Sequence, residues 1–141
     1  MLRIEHLKEG DIAKVVEIER LCFSAPKSEA IFRSDQSKYL VAKEGNGIVG
    51  YIGTERIAGE THIINMAVHP DSQGKGIGKE LLKAVLNDPD VVFLEVRASN
   101  VPAQKVYQHF GFKNVGLREN YYSDNNEDAY ILRREPGEQI S

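Results

Sequence analysis

The chain has no tryptophan, two methionines and a single cysteine, Cys22, among its 141 residues. One cysteine cannot close an internal disulfide, so the fold has to be held by its core, and the chain reads as one for a reducing cytoplasm. No apolar run approaches the roughly 18 residues that a membrane span needs. The start, MLRIEHLKEG, is broken by charges where a signal peptide would carry its apolar stretch. A large charge of one sign is also missing: 18 Lys and Arg against 21 Asp and Glu leave a net charge of −3 and a pI near 5.8. That balance gives no general attraction to nucleic acid. The histidines, His6, His62, His69 and His109, show no metal-ligand spacing, and Cys22 has no evident catalytic partner, so none of them is assigned a role. Internal repeats and low-complexity blocks are absent as well.

What is present is ordinary for a globular protein, with 41% hydrophobic and 28% charged residues. A chain of this length can bury roughly two-thirds of its extended surface in one core. A single domain over residues 1–135 is therefore expected, with a frayed tail over 136–141. Leu2 to His6 alternate as a strand, and Ile12, Val15, Val16, Glu19 and Cys22 recur at helical spacing within a helix from about Asp11 to Phe23. Ser28 is placed to cap a short helix near Glu29 to Arg33. Tyr39 to Lys43 and Ile48 to Ile57 flank Gly45, Asn46 and Gly47 as a hairpin, and Gly59 with Glu60 turns the chain into Thr61 to Val68. A helix from Ile77 to Leu86, a turn over Asn87 to Asp90 and the apolar strand Val91 to Val96 complete a βαβ crossover. Ser99 or Asn100 caps a helix with Pro102 in its first turn and Gly111 at its end, and strands follow near Phe112 to Asn120 and Asp128 to Arg134. This order predicts an α/β chain with a mixed sheet and helices on its faces.

The most informative segment is Gln73, Gly74, Lys75, Gly76, Ile77, Gly78, Lys79, between a strand and a helix. Glycines there let the backbone come close to a ligand, while the first N–H groups of the helix and its positive dipole end attract an anion. Lys75, Lys79 and Lys83 add local positive charge suited to a small polyanion. A nucleoside-triphosphate loop is excluded, because Gln73 stands where its first glycine belongs and Glu80 stands where a hydroxyl should hold magnesium. A dinucleotide loop starting at Gly74 needs glycine at 79, where Lys79 is found, and His69 to Gln73 separates strand from glycines by too much; Glu95, about twenty residues on, supports it only weakly. A third pattern, Gln/Arg-x-x-Gly-x-Gly/Ala, is matched by Gln73, Gly76 and Gly78. It resembles the pyrophosphate loop of the GNAT acetyltransferase superfamily, with an ordinary glycine-rich turn as the alternative.

Two further tracts carry the same resemblance. LEVRASNVPAQKVYQHFGFKNVG, Leu94 to Gly116, is similar to the strand, helix and strand that follow in this superfamily, and NYYSDNNEDAYILRRE, Asn120 to Glu135, is similar to the ending of its protein N-terminal acetyltransferases. Within these, the LEVRxSN strand and the NYY and EDA ending resemble the bacterial ribosomal-protein-alanine N-acetyltransferase branch. The resemblance implies a mixed, mostly antiparallel sheet of about seven strands flanked by about four helices. It also implies acetyl-coenzyme A as cosubstrate and a protein N-terminus as acceptor, from a ribosomal protein beginning with Ala or a similarly small residue. No metal, nucleic acid or membrane partner is expected.

The residues themselves leave alternatives open. Glu95 shares a strand face with Val91 and Phe93, and a carboxylate there either finds a partner such as Arg97 or another cation, or has its pKa raised, as a general base needs. Family resemblance aligns Glu95 with the proton acceptor and Tyr107 with the tyrosine that protonates the departing thiolate, although Tyr107 also reads as a core aromatic. Asn100 reads as a helix cap, to which the family adds a coenzyme contact. Met66, Ala67 and Val68 match the strand whose backbone pairs with the pantetheine arm, and burial explains their side chains equally well. The resemblance assigns the cofactor loop to Gln73, Gly74, Lys75, Gly76, Ile77, Gly78 and Lys79.

Tyr121 and Tyr122 read as edge-strand aromatics or, by the resemblance, as one wall of a peptide groove whose other wall holds Glu19, Phe23 and Pro26. Relatives usually carry Trp after the proline, where this chain has Lys27. The resemblance implies direct attack of an amine without a covalent enzyme intermediate. Deprotonating an α-ammonium at pH 7 costs roughly 1 to 1.4 kcal/mol, against about 4.6 for a lysine, so a modest base suits an α-amine. Acetylation of lysines or small amines, and a coenzyme- or peptide-binding module without catalysis, are the competing expectations.

Overall fold

A computed structural model describes residues 1–86 and 89–138. In chain order the elements are β1 (Leu2–His6), α1 (Ile12–Cys22), α2 (Glu29–Ser34), β2 (Tyr39–Glu44), β3 (Gly47–Ile57), β4 (Glu60–Val68), α3 (Ile77–Val85), β5 (Val91–Arg97), α4 (Val101–His109), β6 (Lys113–Tyr122) and β7 (Glu127–Arg134). The seven strands hydrogen-bond in the order β1-β2-β3-β4-β5-β7-β6. Pairs β1–β2, β2–β3, β5–β7 and β6–β7 are antiparallel, whereas β4 and β5 run parallel over Glu60–His62 and Val91–Phe93. The parallel pair requires the crossover that α3 supplies. The mixed α/β expectation is thus met, while two positions of the expected turn, Asn87 and Asp88, lie outside the described residues.

The chain falls into two compact units, Met1–Thr54 with Ile64–Asn87, and Glu55–Ile63 with Asp88–Ser141. In the first, Ile12, Val15, Val16 and Glu19 form the buried stripe of α1, at the i, i+3, i+4, i+7 spacing of one helical face. That stripe joins a core in which Phe32, Tyr39 and Tyr51 meet with ring centroids 5.1 to 6.0 Å apart. Gly53 is required by this trio, because a Cβ there would stand 2.6 Å from Tyr39 Cε1. Ser28 caps α2 as expected, its hydroxyl accepting from the Ile31 N–H.

In the second unit Val92, Leu94 and Val96 are buried, and the alternation of the strand turns Phe93, Glu95 and Arg97 to the other face. Asp90 anchors the entry to β5 by accepting from Arg56 Nη2 at 2.9 Å and Thr61 Oγ1 at 3.2 Å. Asn100, rather than Ser99, caps α4 by accepting from the Ala103 N–H.

One boundary differs from the sequence expectation. Strand β6 continues past Asn120 to Tyr122, because Asn120 adopts φ +52 and donates its N–H to Asp128 Oδ1 at 2.9 Å, within a register shift between Arg118 and Tyr122. Asn tolerates this left-handed conformation, and the bulge redirects the residues that follow it. At the other end the Glu138 N–H donates to Glu135 O, and the buried Arg134 donates to Phe110 O and Glu138 O. Residues 139–141 of the expected frayed tail lie outside the described residues.

Candidate active site

The glycine turn begins where Pro70–Ser72 form one 3-10 turn, with His69 Nδ1 accepting from the Asp71 N–H. Gly74 and Gly76 both sit at φ +81 with open space where a Cβ would be, so their conformation, and not crowding, demands glycine. Gly78 has no such constraint; a Cβ there would make an ordinary 3.7 Å contact with Val68 Cγ2. Gly76 is the N-cap of α3 and offers no side chain to the first N–H groups of that helix, which leaves them to an anion. Lys75 and Lys79 are exposed beside it. The Gln73 amide donates to Val68 O at 3.0 Å, so this side chain ties the turn back to β4. Val68 O also accepts from Cys22 Sγ at 3.3 Å, which occupies both of its lone pairs. Met66 is half-buried and Ala67 buried on the same strand. Ile77 is buried at the start of α3 and anchors the turn from below.

The wall expected from Glu19, Phe23 and Pro26 is built unevenly. Phe23 and Pro26 are exposed, but Glu19 is 2% exposed and turned inward. Its Oε1 accepts from the Tyr51 hydroxyl at 2.5 Å and Asn65 Nδ2 at 2.9 Å, and its Oε2 accepts from the Lys27 N–H at 2.9 Å. Glu19 therefore acts on the Phe23–Lys27 segment from behind, through the Lys27 backbone. Burial pushes the Tyr51 hydroxyl up, and its bond to Glu19 pushes further in the same direction. Nothing local in the sequence connects Tyr51 and Asn65 to Glu19.

In the second unit, Glu95 is half-buried, and the cation that answers it is Arg118 of β6, with Nε 3.3 Å from Oε1. Arg97 is committed elsewhere: it reaches Asp124 at 2.9 Å and Glu127 at 3.3 Å, and lies 3.9 Å over the Tyr122 ring. Glu127 in turn accepts from the Ser99 N–H at 2.7 Å. The end of β5, the start of α4 and the β6–β7 turn are thereby tied together around Tyr122. Tyr121 and Tyr122 meet edge to face at 5.1 Å.

Burial raises both phenols, with the Glu95 charge adding to each, while Arg118 opposes it at Tyr121 and Arg97 at Tyr122. Tyr107, edge-on to Phe112 at 5.7 Å, is pushed up to about 12 by burial and then by Tyr122. Tyr122 thus feels Glu95 and is felt by Tyr107, so the expected base and acid share its neighbourhood. Among the described residues no cluster of His, Cys, Asp and Glu could hold a metal ion, and no helix is long and apolar enough to cross a membrane.

The first unit thus carries an open glycine turn at the start of a helix, and the second a half-buried carboxylate near two tyrosines. The acetyltransferase (GNAT) family matches residues 12–112, and the chain belongs to that family. It is 33% identical over 139 residues to the putative [ribosomal protein bS18]-alanine N-acetyltransferase of Bacillus subtilis, covering 92% of each chain. It is 35% identical over 144 residues to the N-alpha-acetyltransferase RimI of Mycobacterium tuberculosis, covering 94% of this chain and 91% of that one. The crystal structure of the ribosomal-protein-S18-alanine N-acetyltransferase from Escherichia coli superposes with a TM-score of 0.89 at 30% identity, over 99% of this chain and 96% of the other. The protein is thus an acyltransferase, an N-acetyltransferase with the GNAT fold.

Proposed function

We propose that this enzyme acetylates the N-terminal α-amine of a protein, specifically a ribosomal protein beginning with alanine or a similarly small residue, in the cytoplasm, and that residues 1–135 act as one catalytic domain. The acceptor follows from the relatives, which are named for alanine acetylation of ribosomal protein bS18 and match over nearly the whole chain. The chemistry is supported by the Glu95 carboxylate, paired with Arg118 and within electrostatic reach of Tyr121 and Tyr122, and by Tyr107, which feels Tyr122.

The first unit fits a pyrophosphate donor, since Gly74 and Gly76 keep the turn in a left-handed conformation that strains most other residues and the α3 N-terminus carries no side-chain cap. Acetyl-coenzyme A, when bound, supplies an activated acetyl group and a thiolate leaving group. Gln73, Gly74, Lys75, Gly76, Ile77, Gly78 and Lys79 would hold its phosphates, and Met66, Ala67, Val68 and Asn100 its arm. Glu95 takes the proton that the α-ammonium has to lose, directly or through water.

Tyr107 keeps its proton throughout the working pH range, because its hydroxyl is pushed up to about 12. Complete transfer from such a phenol to a thiolate of ordinary basicity, near 8.5, is uphill by roughly 5 kcal/mol. Tyr107 therefore serves the leaving sulfur chiefly as a hydrogen-bond donor, with its proton passing fully only as solvent equilibrates. In this reading Phe23 and Pro26 of the first unit, supported from behind by Glu19, and Tyr121 and Tyr122 of the second each contribute to binding the acceptor.

The test is mass spectrometry of a peptide panel with free and blocked N-termini, incubated with acetyl-coenzyme A and read for the nitrogen modified. Acetylation of the free α-amine in Ala-starting peptides is expected, and modification confined to lysine overturns the reading. Glu95→Gln is expected to lower turnover at neutral pH far more than it weakens coenzyme binding. Unchanged turnover across the pH range removes Glu95 from the role of base.

A further inference from the structure

Strand register places Glu95 and Arg118 on one sheet face. Glu95 pairs with Ile131 of β7, Arg97 and Arg118 pair with Ala129 from its two sides, and Gly116 pairs with Ile131. Cross-strand partners point to the same face, so Phe93, Glu95 and Arg97 of β5 share it with Ala129, Ile131 and Arg133 of β7 and with Arg118 of β6. Arg118 has to cross the whole width of β7, about 10 Å between outer strands, to meet Glu95. Ala129 presents the smallest side chain on that route, while Ile131 packs over Gly116, its Cδ1 3.1 Å from where a Cβ would stand. Of the other basic groups on this face, Arg97 is engaged with Asp124 and Glu127, Arg133 with Glu135 at 2.6 Å, and His62, stacked on Phe93, lies 3.1 Å from Glu60, while Lys113 stands exposed opposite Arg133. The remaining titratable neighbours of Glu95 are the phenols of Tyr121 and Tyr122, both raised and therefore neutral. Arg118 itself lies 5.9 Å from the centre of the Tyr121 ring.

Resting on the reading of Glu95 as proton acceptor, we propose that Arg118 is a positioning residue for it, reaching across β7 to hold the carboxylate aimed at the acceptor. Its positive charge acts twice. It fixes the direction of the Glu95 side chain, and beside an arriving α-ammonium it favours loss of the proton, since a like charge disfavours the charged amine. The contact is a single Nε···Oε1 approach of 3.3 Å and not a two-pronged fork, so the charge matters more than guanidinium geometry. Arg118 is about half exposed, 53% at its side chain, which limits the effect to that of a solvent-screened pair.

The test uses the full-length enzyme as wild type, Arg118→Gln and Arg118→Lys. For each, kcat and KM are measured for an Ala-starting peptide, together with KM for acetyl-coenzyme A. In Arg118→Gln, kcat for the peptide is expected to fall by about 1.4- to 5-fold, the range of a solvent-screened ion pair. KM for acetyl-coenzyme A should stay within twofold, and Arg118→Lys should recover most of the lost kcat. An unchanged kcat in Arg118→Gln, or a loss that Arg118→Lys does not recover, overturns the inference. A lowered kcat in Arg118→Gln together with a fully active Glu95→Gln overturns the base assignment instead, because the ion pair then holds a carboxylate that turnover does not use.

Discussion

Replacing Glu19 by alanine should destabilise the protein more than any change at its exposed groove residues. The carboxylate is 2% exposed and satisfies three donors: the Tyr51 hydroxyl, Asn65 Nδ2 and the Lys27 N–H. Each buried donor left without an acceptor costs roughly 1–3 kcal/mol. The three do not sum in full. Asn65 Nδ2 keeps its 3.3 Å bond to the Tyr39 hydroxyl, the half-exposed Lys27 can turn to water, and the desolvation of the carboxylate itself is relieved. A net loss of about 3 kcal/mol results, or a fall of roughly 10 °C in Tm for a chain of this size.

Glu19→Gln separates the hydrogen-bonding account from simple loss of volume. With the amide nitrogen facing Tyr51 and Asn65, the Tyr51 hydroxyl can rotate to accept and the Asn65 amide can flip, so its cost should be near 1 kcal/mol. Urea unfolding at pH 7 followed by circular dichroism measures both variants. A Glu19→Ala protein within 0.5 kcal/mol of wild type, on the scale of a neutral surface change, refutes the argument, and so does a Glu19→Gln protein as unstable as Glu19→Ala. Because the Lys27 N–H is released, KM for the acceptor peptide should rise in Glu19→Ala while KM for acetyl-coenzyme A does not.

Gly76→Ala forces a Cβ onto φ +81 and should cost about 1–2 kcal/mol while raising KM for acetyl-coenzyme A; unaltered stability and KM contradict the assigned turn geometry. Gly78→Ala, free of a positive φ and facing only an ordinary contact, should keep activity and gain up to about 1 kcal/mol, with a loss of stability as the contrary result. Tyr39 is buried and pushed up to about 12, first by burial and against the bond from Asn65. A raised folded-state value stabilises fully below the unfolded value near 10 and is lost as pH climbs through 12, so about 3 kcal/mol should vanish in that window. Tyr39→Phe should flatten this alkaline loss in a series of melting curves between pH 8 and 11.5, and an identical slope in both proteins contradicts it. Gly53→Ala should unsettle the Phe32, Tyr39 and Tyr51 trio by more than about 2 kcal/mol, since overpacking has no flexible neighbour to move; thermal melting reads this directly, and a melt like wild type refutes it.

Features carried by local spacing were legible without coordinates. The α1 stripe, the cap at Ser28, the positive-φ glycines of the turn and the alternation that sets Glu95 opposite Val92, Leu94 and Val96 all depend on residues within one or two turns of chain. The strand end past Asn120 is not legible in this way, because it depends on a partner eight residues on, Asp128. The cation beside Glu95 shows the same division. Arg97, two positions away on the same face, was the nearest candidate in sequence, yet Asp124 and Glu127 claim it.

The sequence by itself determined the elements, the glycine turn before α3 and the family, because helical and strand periods, glycine conformations and short motifs are local properties of the chain. Only the tertiary structure decided how individual side chains are used. It turned Glu19 inward onto Tyr51 and Asn65, tied Gln73 to Val68, and brought Arg118 across β7 to Glu95. Those outcomes are set by strand register and by which neighbour lies within a few ångströms, and no spacing along the chain encodes a distance between strands that the chain order does not place side by side.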